Sequence, residues 1–181
     1  MPSDKRVLAP AAILKLSRAQ DGWTVHTDKG VFQAGRLVNC MPLPRLFRLL
    51  DAPPDIKAAL GGLMYNSIHI VLLRVLKDGL GDNFAVMCSD NDVVFHRLSK
   101  LGFLGPAYKP ASGGEIIMAE VTFRPGVAEM GAQEAESAVL DGLEKTGLVR
   151  RADVAETVVR TFEYAYVIYD LKHRQNVPKI L

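Results

Sequence analysis

The stretch FEYAYVIYDLKHRQNV, Phe162 to Val177, decides how the chain is read. Side chains alternate along a strand, so Tyr164, Tyr166 and Ile168 are expected on one face and Ala165, Val167 and Tyr169 on the other. From Asp170 the composition turns polar and basic, through Lys172, His173, Arg174, Gln175 and Asn176, which suits a helix or turn leaving the strand. A tyrosine pairs an apolar ring with one hydroxyl. Its cluster therefore suits a wall against a flat ring or sugar, and equally a core whose hydroxyls are satisfied.

Working outward, Glu156 to Thr161 precedes this stretch as another strand, and Glu115 to Phe123 (EIIMAEVTF) is a clear one. Between them lies the best helix, Ala132 to Thr146. Ala135, Val139, Leu140 and Leu143 recur at helical spacing, and Gly147 is placed to end it. Upstream, Leu63 to Val75 reads as a long strand, with shorter ones at Phe84 to Cys88 and Asp92 to Arg97. Lys100 to Gly114 reads as a Gly/Pro-rich loop. The first fifty residues alternate short strands and tight turns: Ala11 to Leu16, Trp23 to Thr27, Val31 to Ala34 and Arg36 to Cys40, a β-meander. Pro42 and Pro44 stiffen its exit, and Arg45 to Leu50 and Asp55 to Leu60 read as short helices. The fold class expected is α+β, with a mixed, mostly antiparallel sheet. Residues 1–50 would form the meander portion and 51–181 a larger α+β portion, packed as one unit.

Composition narrows the function. The 181 residues are 49% hydrophobic and 23% charged, ordinary for a globular protein. A net charge of +2 without a basic run argues against nucleic acid as a partner. Cys40 and Cys88, far apart and each in an apolar sequence setting, fit neither a metal spacing nor a disulfide framework. A reducing, cytoplasmic location and no metal partner are expected. No signal peptide is recognisable and no apolar run is long enough to span a membrane. There is no G-x-G-x-x-G, P-loop or G-x-S-x-G motif, so no phosphate cradle or nucleophile elbow is legible. His26, His69, His96 and His173 form no ligand pair. Arg97 could hold an anionic group or simply be solvated at a strand end.

The order of the segments resembles a family. A DGW hairpin (Asp21–Trp23) leads to Arg36-Leu37-Val38-Asn39-Cys40-Met41-Pro42 and then a Leu-rich helix. Leu63-Met64-Tyr65 leads into a long apolar strand, followed by Phe95-His96-Arg97 and by Glu115 to Phe123. Ala165-Tyr166-Val167-Ile168-Tyr169-Asp170-Leu171 with Asn176-Val177 is similar to an A-Y-P-V-Y-D-L…N segment. Together they resemble the flavin-dependent amine oxidase superfamily, in its protoporphyrinogen oxidase-like and UDP-galactopyranose mutase-like branch. Val167 stands where that segment usually has proline.

The resemblance implies FAD as cofactor and a small-molecule substrate. It also implies an internal, substrate-domain portion without the N-terminal dinucleotide-binding motif, inactive alone because the flavin does the hydride chemistry. By resemblance, Ile13 meets the adenine and Met41 and Pro42 lie near the flavin. Tyr65, Arg97, Tyr166 and Tyr169 are the polar or aromatic substrate wall. Two other functions stay open. A sugar-nucleotide mutase portion would need Arg74, Arg97 and Arg124 to converge on a diphosphate. A non-enzymatic module would bind a partner or form a homo-oligomer through an exposed apolar face.

Overall fold

The computed structural model describes residue 7 and residues 9–180. The chain folds as two compact units. One holds the residues up to Leu63 together with the segment from Tyr169 onward; the other is Met64–Ile168.

In the first unit, β1 (Ile13–Ala19), β2 (Gly22–Thr27) and β3 (Gly30–Ala34) form an antiparallel meander in the order β1-β2-β3. The expected fourth strand at Arg36 to Cys40 does not form. Val38 is exposed, and the segment pairs with no strand among the described residues. Cys40 is exposed as well, contrary to the apolar setting its neighbours suggest. Helix α1 (Leu43–Leu49) starts two residues earlier than expected, because Pro44 occupies its first turn, where a missing N–H costs nothing. Helix α2 (Pro54–Gly61) follows, and the polar tail of the opening stretch forms α4 (Leu171–Ile180), which packs on α2.

The second unit is a five-stranded antiparallel sheet in the order β5-β6-β7-β4-β8, with β4 (Met64–Val75), β5 (Ala85–Met87), β6 (Arg97–Lys100), β7 (Glu115–Phe123) and β8 (Val154–Ile168). Helix α3 (Ala132–Lys145) lies on one face. The Glu134 carboxylate accepts from the Gly131 N–H at its start, and Gly147, at φ 70°, reverses the chain just past its end. Odd-numbered residues of β4 and β7 (Val71, Leu73, Val75, Ile117, Ala119, Val121) pack against Ala135, Val139 and Leu143 of α3 as one core. Gly142 lets the helix come close to this core: a Cβ there would sit 2.9 Å from the Phe95 ring.

Three expectations are corrected in this unit. The Asp92 to Arg97 strand begins only at Arg97. Asp90 accepts from the Asp92 N–H, and this turn carries Phe95 into the core instead. The loop from Lys100 contains two 3-10 turns, Leu101–Leu104 and Pro106–Tyr108. The strand at Glu156 to Thr161 and the tyrosine strand are one fifteen-residue element, β8, broken by a bulge. Asn66 pairs with Tyr166 and Ile68 with Phe162, so four steps along β8 oppose two along β4.

That bulge changes the tyrosines. The Ser67 hydroxyl donates to the Glu163 carbonyl at 2.6 Å. Tyr164 turns to Tyr65, with ring centroids 4.4 Å apart, while Tyr166 goes to a carboxylate. Tyr169 lies beyond the strand, 80% exposed, with its ring edge-on to His173 at 4.8 Å. The antiparallel sheets and packed helices make the fold α+β, as expected. No helix among the described residues is long and apolar enough to cross a membrane.

Candidate functional site

The face of the five-stranded sheet turned away from α3 carries the even-numbered residues of β4 and β7. Ile68, Ile70 and Leu72 stand beside Ile116, Met118 and Glu120, with Val158 and Phe162 of β8 exposed along one side. This largely apolar floor holds one buried charge. Glu120 is 2% exposed, and a buried carboxylate is tolerated only when its oxygens are satisfied.

Three side chains do this. Arg97 is the cross-strand partner of Glu120, so the β6–β7 register sets the two side by side. Its Nε donates to Glu120 Oε1 at 2.6 Å, and Nη2 reaches the same oxygen. Tyr166 donates its hydroxyl to Oε2 at 2.7 Å. His96 Nε2 lies 3.5 Å from Oε2, its ring edge-on to Tyr166 at 6.0 Å, and its Nδ1 is buried without a hydrogen-bond partner among the described residues. The hydrogen bond to Glu120 raises the Arg97 pKa above the ordinary guanidinium value. The same carboxylate, with burial second, raises the Tyr166 hydroxyl above the usual phenol. Tyr166 is thereby kept protonated and Arg97 charged.

The geometry matters because the donors stay accessible. Arg97 spends two nitrogens on a single oxygen, leaving Nη1 uncommitted to Glu120, and its side chain is 38% exposed. Tyr166 is 41% exposed. Since its proton is given to Glu120, its oxygen keeps lone pairs with which it can accept. A ligand polar group on this face would meet fixed donors from Arg97 and a fixed acceptor from Tyr166.

The expected residues therefore separate. Arg97 and Tyr166 are brought together on Glu120. Tyr65 is instead paired with Tyr164. Tyr169 belongs to the first unit, as do Ile13, Met41 and Pro42. Glu120 and His96 were missed as site residues. Glu120 could have been found as the one charge inside the run EIIMAEVTF, whose other glutamate, Glu115, only opens it. Arg74, Arg97 and Arg124 do not converge. Arg74 pairs across β7 with Ile116 and Arg97 with Glu120, while Arg124 follows the strand's end. Successive levels are about 14 Å apart along β7 at ~3.4 Å per residue. Arg74 is also held by Glu156, at 2.8 Å.

In the first unit, Met41 has its backbone bracketed by the Asn39 side chain. Asn39 Nδ2 donates to the Met41 carbonyl at 2.9 Å, and the Met41 N–H donates to Asn39 Oδ1 at 3.0 Å. Pro42 has no N–H, and its carbonyl accepts from Arg45 and Leu46. Met41 and Pro42 can therefore offer a flavin apolar surface but no free backbone donor of their own. Ile13 lies on β1, an edge of its sheet, where alternate backbone groups face away from β2 and remain available to pair with a planar ring. These residues fit flanking contacts with FAD; they form no phosphate cradle. Among the described residues there is no cluster of three or more metal-ligating side chains.

No family model and no curated protein matches the sequence. Solved structures do match the fold. A reduced UDP-galactopyranose mutase aligns with a TM-score of 0.76 at 15% identity, over 92% of this chain and 37% of that one. A putative protoporphyrinogen oxidase from Exiguobacterium sp. 255-15 aligns at 0.64 and 18% identity, over 94% of this chain and 38% of that one. A CLA-producing fatty acid isomerase from P. acnes gives 0.63 and 17%, over 94% and 40%. The chain thus spans well under half the length of the proteins it matches. The fold is one that portions of these three proteins share, and two of them carry the enzyme names that the order of motifs pointed to.

Proposed function

We propose that this chain supplies the substrate-holding sheet of an FAD-dependent oxidoreductase-type protein. The observation that carries this reading is the Glu120 cluster, a buried carboxylate that fixes two accessible polar groups on a largely apolar face. Arg97 would orient an acceptor of a flat or apolar small molecule, Tyr166 would take a donor, and Ile70, Leu72 and Met118 would bury its body. Ile13, Met41 and Pro42 would flank the cofactor. A bound flavin would supply the redox chemistry, and the protein's part is orientation. The phosphates would be gripped by a dinucleotide-binding portion, since no G-x-G-x-x-G stands in these 181 residues. The protein would work in a reducing, cytoplasmic setting, consistent with two free cysteines. A diphosphate-clamping mutase reading has less support, because the three arginines it needs lie on β4, on β6 and just past β7, at separated levels of the sheet.

Two measurements test the proposal. The purified chain is expected to be colourless, to release added FAD on gel filtration and to show no oxidase activity. Retained flavin bands with turnover would show that the chain is no mere substrate-holding portion. In arginine side-chain NMR, an amphipathic ring compound such as a long-chain phenol should shift the Arg97 Nε–H signal, and the shift should be lost in Glu120→Gln. A silent Arg97 signal across neutral, anionic and cationic amphiphiles would remove the ligand-wall reading.

A further inference from the structure

Among the described residues, β8 is the outermost strand of its sheet and pairs only with β4. Strands of globular proteins usually run five or six residues, and a long unpaired edge is normally blunted or covered. Here the edge is fifteen residues long. From Glu156 to Phe162 its pairing with β4 is unbroken, so its outer edge is regular there, and Glu156, Val158 and Arg160 are exposed. We propose that this edge pairs with the same edge of a second copy of the chain, extending two five-stranded sheets into one.

The strand's own geometry selects the register. Backbone N–H and C=O groups point outward from alternate residues only. Two residues directly opposite each other in an antiparallel pair must both point toward the partner or both away. In a two-fold pair of identical strands, opposite residues must therefore share parity. Arg160 against Glu163 is excluded on this ground, being even against odd. Arg160 against Arg160 is allowed but sets like charges face to face. Glu156 against Arg160 is allowed, occurs twice by symmetry, and places Val158 opposite itself on the axis. Both side chains have capacity for it. Glu156 gives only Oε1 to Arg74 and its side chain is 68% exposed. Arg160 donates to its neighbour's carbonyl at Val159 and has no carboxylate partner among the described residues. Within one chain the two are four residues apart on an extended strand, about 13 Å, and cannot meet. The proposal does not depend on flavin or ligand.

Light scattering on the eluting peak should give twice the 19.8 kDa chain mass. Arg160→Glu should halve that mass with an unchanged far-ultraviolet circular dichroism spectrum, whereas Arg160→Lys should keep the dimer. Register is read by cysteine. In a Cys40→Ser, Cys88→Ser background, Val158→Cys should oxidise to a covalent dimer, because directly opposed strand residues lie within disulfide range. Phe162→Cys should not. A wild-type mass of one chain at the highest attainable concentration overturns the proposal. So does a dimer indifferent to Arg160→Glu, or one that cross-links at 162 rather than 158.

Discussion

The central sheet buries one ionisable side chain on each face, and the two are finished differently. On the helix side, His69 is closed. Nε2 meets the Met130 carbonyl at 2.8 Å, Nδ1 meets Thr161 Oγ1 at 2.8 Å, and the ring stacks on Phe123 at 4.5 Å. A carbonyl only accepts, so Nε2 carries a proton, and both ring nitrogens are spoken for. On the open side, Glu120 is as deeply buried as His69, yet Arg97 and Tyr166, which satisfy it, face solvent with bonding capacity to spare. Burial and perfect satisfaction mark a structural group. Burial with accessible, immobilised partners marks a binding surface.

This contrast can be broken from the helix side, where the largest effect is expected. Phe95→Ala empties the position beneath Gly142 and should cost about 3–5 kcal/mol in urea unfolding. A cost under a third of that would mean the face is not the closed core described. Next comes Glu120→Gln. It keeps the shape but removes the charge that holds Arg97, and it should cost about 1–3 kcal/mol. The lower end is favoured because Arg97 can turn to water. The Arg97 Nε–H signal should broaden at the same time. Thr161→Val leaves His69 Nδ1 without its partner on the closed face, at about 1–2 kcal/mol, and the Arg97 signal should stay still. If Thr161→Val moved Arg97 as much as Glu120→Gln does, the two faces would not be independent.

How much of this could be read beforehand follows from range. Glu115 to Phe123 and the helix from Ala132 were legible because each is a strong local pattern: a β-rich run on one hand, a 3.6-residue period on the other. Asp92 to Arg97 looked like a strand for the same local reason. The turn around Asp90 and the demand of the core for Phe95 overrode it. Arg97 and Tyr166 could be singled out, but not their meeting. They are joined through Glu120, across strands whose order is β6-β7-β4-β8, and no local period encodes that order. The bulge was equally hidden. Two extra residues near Ala165 preserve the alternation in the sequence while sending Tyr164 to Tyr65 and Tyr166 to Glu120.

The smallest effect sharpens the comparison within the tyrosine stretch itself. Burial, then hydrogen bonding to Glu163 and Tyr65, pushes the Tyr164 hydroxyl up to about 12 from an ordinary 10.0. A raised pKa means the folded state prefers the neutral phenol. The stabilisation is complete below 10.0 and fades as pH climbs through about 12. Tyr166 is raised as well, but first by Glu120 and only then by burial. The two tyrosines should therefore answer differently to one substitution. Glu120→Gln should bring the Tyr166 ionisation, followed by tyrosinate absorbance, down toward the ordinary phenol and leave Tyr164 where it is. Tyr164→Phe should remove the highest-pH step and flatten the alkaline loss of stability. If both steps moved together in Glu120→Gln, the bulge would not divide the tyrosines into one pair that packs and one residue that serves the open face.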